Sequence, residues 1–159
     1  MLTPTSFYTI TPDGFLLSGE EETYYGYQDV SIDPSTTFPV IVDSGTTLMY
    51  LPDQVAEAVN ELFDPPSVYI PEEGVYENDC DATPPTFAIR IGGTDFYING
   101  ADLLLTGELG YDPETGGCTT GVQPGGAGPY ILGDTFLKNV VAVFDIGASE
   151  MKFAPHENY

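Results

Sequence analysis

Basic side chains are almost missing from this sequence. Arg90, Lys138 and Lys152 are its only arginines and lysines, against 25 Asp and Glu, and the formal net charge is −22. So little positive charge to set against phosphate excludes nucleic acid and anionic membranes as partners. Histidine is reduced to His156, and neither Cys80 nor Cys118 stands in a Cys-x-x-Cys pair. No zinc site is therefore expected, and no metal or cofactor is implied. A single disulfide between the two cysteines would suit an oxidising compartment. No apolar run is long enough to span a bilayer. The opening MLTPTSFYTI lacks the basic and long apolar regions of an export signal, which is expected elsewhere or not at all.

What is present is enough for a folded protein. A length of 159 residues with 42% apolar side chains supports one domain, 1–159, with a real core despite the charge. The acidity itself has two readings, a solubilising surface or an adaptation to acid, where protonation relieves self-repulsion. Eighteen Gly and fourteen Pro among many Tyr, Phe, Val and Ile point to short strands joined by turns. FYTI (7–10), GFLL (14–17), YYGYQDVSI (24–32), FPVIVD (38–43), TFAIRIGG (86–93) and DFYING (95–100) read as strands. One stretch differs. In PDQVAEAVNELF (52–63), Val55, Val59, Leu62 and Phe63 recur at helical spacing, and Pro65–Pro66 stops the helix. Residues 107–129 read as mostly loop, and 129–154 as a strand, a short turn near Asp134 and a closing hairpin. The expected class is mostly β with one main helix.

The chemistry concentrates in IVDSGTTLMYLP (41–52). An aspartate inside an apolar run is costly unless donors hold it or a cleft exposes it. Ser44-Gly45-Thr46 offers both a sharp turn and hydroxyl donors within reach of Asp43. On spacing alone, an Asp capping a turn is the preferred reading.

The wider text resembles pepsin-like aspartic proteases. IVDSGTTLMYLP is similar to their second Asp-[Thr/Ser]-Gly-Thr motif with the Leu-x-x-Pro that begins a helix. YILGDTFLKNVVAVFDIGASEMKFAP (130–155) resembles the end of the same enzymes. Cys80 before PPTFAIRIGG looks like the family's cysteine before Pro-x-Phe, and Cys118 like its usual partner. The resemblance covers nearly the whole chain and is to the C-terminal lobe alone. It implies a mostly β lobe of the acid-protease double-psi β-barrel type.

By the same resemblance, Asp43 is one of two catalytic acids. Gly45 N–H and the Thr46 hydroxyl would hold its carboxylate, and Ser44 would hydrogen-bond across to the opposite lobe. Thr47 would touch the substrate backbone, while Ile41 and Ile131 would line an apolar subsite; for these two, plain core packing is the other reading. Leu132-Gly133 would complete a crossed-loop layout around the aspartate. Asp145 of DIGAS and Asp134 of LGDTF fall at structural positions of the family and receive no catalytic role. The implied partners are a peptide or protein substrate, and an N-terminal lobe or a second copy that supplies the other acid about a two-fold axis. The implied location is extracellular (secreted) or vacuolar.

The alternative is a non-catalytic protein-binding or inhibitor module that keeps the lobe. A glycosidase-like carboxylate pair is weaker, because no second acid stands in a comparable apolar frame. GYDPETGG (110–117) carries Asp112 and Glu114 near glycines but lacks the ligand spacing of a calcium loop. EEE (20–22) and PEEG (71–74) read as solvated turns.

Overall fold

The computed structural model describes residues 7–19, 21–30 and 39–156. Glu20, residues 31–32 and Phe38, each part of an expected segment, lie outside the described residues. The chain begins with β1 (Thr9–Ile10), β2 (Gly14–Ser18) and β3 (Glu22–Gly26), followed by a helical turn α1 (Tyr27–Val30). Next come β4 (Val40–Val42), β5 (Met49–Leu51) and the helix α2 (Asp53–Glu61). β6 (Val68–Ile70), β7 (Val75–Asn78), β8 (Thr86–Ile91), β9 (Thr94–Ile98) and the turn α3 (Gly100–Leu103) fill the middle. β10 (Cys118–Thr119), β11 (Val122–Pro124), β12 (Ile131–Leu132), α4 (Asp134–Leu137), β13 (Val140–Asp145) and β14 (Glu150–Pro155) complete it.

Mostly β with one main helix is therefore the architecture. Among the described residues the strands form four sheets, and none closes into a barrel. The central sheet is ordered β1-β4-β12-β5-β11, built from strands of two or three residues. A second sheet, β3-β2-β8-β9, carries the aromatic core: Phe15 stacks on Phe87 at 6.2 Å and meets Tyr27 edge-on at 6.1 Å.

Tyr27 also ends the expected strand 24–32. Its N–H donates to the Asp13 carbonyl (2.9 Å) and its ring is fully buried, so the chain turns inward as α1 rather than extending. Burial pushes its hydroxyl up to about 12.

Helix α2 follows its periodicity. Val55, Ala56 and Val59 are buried against β11 and β5, and Asp53 places negative charge at the helix start. It stops two residues before Phe63, leaving Leu62 partly exposed while Phe63 enters the core. The segment expected as loop contains β10 and β11, with Val122 and Gln123 buried. Cys80 and Cys118 form a disulfide beside β10. By the chain-entropy argument, closing a 38-residue separation restricts the unfolded chain by about 4 kcal/mol.

Candidate active site

Alternation along the central sheet decides what the site presents. Val42, Leu132 and Met49 lie on one face and are almost wholly buried. Ile41 and Ile131 are register partners on the parallel pair β4–β12, and Tyr50 continues the same row on β5. All three are half-buried. A period of two puts this row on the face opposite the core residues.

Asp43 stands where β4 runs out. Its N–H makes one more ladder bond to the Leu132 carbonyl (3.0 Å), which fixes the backbone as the chain enters the Ser44–Gly45 turn. From there the carboxylate is held by two local donors. Gly45 N–H donates to Oδ1 at 2.9 Å and the Thr46 hydroxyl donates to Oδ2 at 2.7 Å. These bonds, the Thr46 hydroxyl foremost, hold the Asp43 carboxyl below the usual carboxylate range. The side chain is half-buried and Ser44 and Thr47 are exposed, so the loop is reachable from solvent.

A second loop crosses the first and locks it. Asp134 N–H donates to the Thr46 carbonyl (2.7 Å), and both the N–H and the hydroxyl of Thr135 donate to the Thr47 carbonyl (3.0 Å each). The contact requires a glycine at 133. A Cβ there would sit 2.2 Å from the Thr46 oxygen and 2.3 Å from that of Leu48. Leu132-Gly133 thus lies against the aspartate loop, and Asp134 serves as the first residue of α4.

Concave surface flanks the loop in sequence on both sides. Thr47 joins Leu105, Leu109, Asp134, Thr135 and Lys138 in lining a cavity of about 400 Å³. Ile41 joins Phe7, Thr9, Pro39, Gly128 and Pro129 around another of about 550 Å³. Asp43 lines neither. Leu105, Leu109 and Lys138 had no local signal to mark them, since only the folding of α3, its following loop and α4 brings them to Thr47. The alternation of MYL marks Tyr50 for the same face.

Of the other two aspartates of interest, Asp134 meets the loop through its backbone N–H, and Asp145 lies on a different hairpin. Asp145 closes the β13–β14 hairpin, accepting from Ala148 N–H (3.0 Å) and Lys152 Nζ (3.1 Å).

Fold and site together define a lobe of the pepsin-like aspartic protease class. A sequence model of the family described as eukaryotic aspartyl protease matches residues 17–156, and the chain belongs to that family. A probable aspartic-type endopeptidase of Aspergillus fumigatus is 49% identical over 117 residues, covering 72% of this chain and 26% of that protein. An acid protease of Saccharomycopsis fibuligera is 35% identical over 75% of this chain and 29% of its own length. Rhizopuspepsin of Rhizopus chinensis is 32% identical over 82% of this chain and 33% of its own length. The chain thus spans about a quarter to a third of these relatives.

Proposed function

We propose that this chain is the C-terminal lobe of an aspartic endopeptidase and that Asp43 supplies one of its two acids. The observation that carries the reading is the Asp43 carboxylate, held by Gly45 N–H and the Thr46 hydroxyl on a half-exposed, doubly pinned loop. Two carboxylates brought into contact cannot both ionise, as is known for aspartic proteases as a class. The charged one takes a proton from water as the oxygen attacks the peptide carbonyl. The protonated one polarises that carbonyl and then helps protonate the departing amine. Water is the nucleophile, so the reaction asks for no serine–histidine pair. A lone Asp43, already held in its ionised form, supplies only the base.

The second acid comes from an N-terminal lobe, or from a second copy about a two-fold axis. Exposed apolar surface supports such a partner. The β13–β14 hairpin is a two-stranded sheet, an arrangement of marginal stability when uncovered. Val141 and Val143 are each 49% exposed on it, and Ile146 at its tip is 78% exposed. In the assembled enzyme Ser44 bonds across to the opposite loop, Thr47 meets substrate backbone, and Ile41 and Ile131 form an apolar subsite. Substrates are peptides with apolar residues beside the scissile bond, and the enzyme works best in acid. The disulfide supports an extracellular or vacuolar location.

Peptide hydrolysis by the chain with and without an added N-terminal lobe tests this reading. Turnover appears only on complementation and vanishes in Asp43→Asn; equal turnover in both proteins removes Asp43 from catalysis. Sedimentation at acidic and neutral pH separates the partners, since a strict monomer at high concentration rules out the two-copy form. The alternative is a non-catalytic module that keeps the lobe. Peptide binding without turnover in the complemented sample would decide for it.

A further inference from the structure

Glu77 is a carboxylate in the wrong place. It sits on β7, the central strand of the sheet β10-β7-β6, and is 4% exposed. Its Oε2 accepts the Thr115 hydroxyl at 2.6 Å, but its buried Oε1 has no hydrogen-bond partner among the described residues. An ionised oxygen without a donor in such a place costs several kcal/mol, of order. The chain cannot relieve this with its own cations. Arg90 pairs with Asp95, Lys138 with Asp102, and Lys152 with Asp145 and Glu150. Buried Asp102 shows the contrast, because Lys138 and Asn139 both donate to it.

Instead, Glu77 faces more negative charge. Glu73, in the turn between β6 and β7, and Asp112, in the loop before β10, each bring a carboxylate oxygen to it. One oxygen from each of the three residues lies within 4.8 Å of the others. The surrounding backbone accommodates this convergence. A Cβ at position 117 would come within 2.8 Å of Glu77 Oε2, so glycine leaves the carboxylate its room. Glu114 N–H orients Asp112 by donating to Oδ1 at 2.7 Å.

We propose that Glu73, Glu77 and Asp112 bind a divalent hard cation, with calcium the best fit, tying the β6–β7 hairpin to the 107–117 loop. The donors are all oxygen, which selects against soft metals. They come from two segments, the β6–β7 hairpin and the 107–117 loop, without a rigid octahedral frame, which suits calcium better than magnesium. A proton shared between Glu73 and Asp112 would leave Glu77 Oε1 unsatisfied, whereas a divalent ion both coordinates and neutralises. The single-loop spacing of a calcium motif is missing because the loop contributes only one of the three carboxylates.

Terbium luminescence sensitised by the chain's tyrosines, Tyr76 and Tyr111 being sequence neighbours of the ligands, tests the site at neutral pH. Emission should saturate at one equivalent, and calcium should displace the terbium. Glu77→Gln should weaken calcium at least about tenfold. Glu73→Gln, at an exposed position where folding is preserved, should do likewise. Glu22→Gln, an exposed acid on β3, should change nothing. Emission that never saturates, or equal weakening by Glu22→Gln, would reduce the effect to general attraction by an acidic surface and overturn the proposal. So would a thermal midpoint that acid raises and calcium leaves unmoved, which would make the cluster a proton site.

Discussion

Two turns in this molecule share the pattern Asp-x-Gly, and they are held in different ways. Asp43 and Asp145 each end a strand, each accept a backbone N–H from the following turn, and each titrate below the usual carboxylate range. Neither motif nor acidity tells them apart. The difference lies in what else holds them. Asp145 has a lysine ammonium as its second donor, at the turn of the β13–β14 hairpin. Asp43 has a neutral hydroxyl, and its loop is clasped through Thr46 and Thr47 by the start of α4. A carboxylate that must accept and return a proton needs a fixed position and no permanent cation beside it.

The comparison breaks most visibly in activity. In the complemented enzyme, Asp43→Asn should lower kcat by about 10²–10⁴-fold or more, while Asp145→Asn leaves it unchanged; steady-state peptide cleavage measures both. Stability comes next. Gly133→Ala drives a methyl into two carbonyl oxygens and should cost roughly 3 kcal/mol or more, whereas Gly147→Ala should stay within about 0.5 kcal/mol, as read by denaturant unfolding. The smallest effects concern protons. Thr46→Val should raise the Asp43 carboxyl toward its ordinary range, and Lys152→Met should do the same for Asp145, both followed by carboxyl carbon NMR. Since both folded values are depressed, each carboxylate favours the folded state above the ordinary carboxylate range. That contribution disappears as pH falls through the lowered value.

Much of the Asp43 loop was legible before any coordinates. Its turn residues announce the geometry, because a short hydroxyl and a glycine within three positions of an aspartate have few other ways to satisfy it. The helix after Pro52 was equally plain, its buried stripe set by Val55 and Val59. Strand 24–32 misled because Tyr25, Tyr27 and Val30 all carry strand propensity, and only the core demanding Tyr27 turned the backbone into α1. β6 and β7 were hidden by acidic neighbours that read as solvent-facing turns, and β10 and β11 by their brevity.

Local chemistry therefore came from the chain alone: which aspartate could be held, which glycine must turn, where the helix starts and stops. These depend on groups a few residues apart, whose distances the backbone itself limits. Tertiary structure alone decided that Leu105 and Thr47 would line one cavity, and that Glu73, Glu77 and Asp112 would converge. Such meetings depend on how sheets pack, and packing is settled by the whole core at once rather than by any one segment.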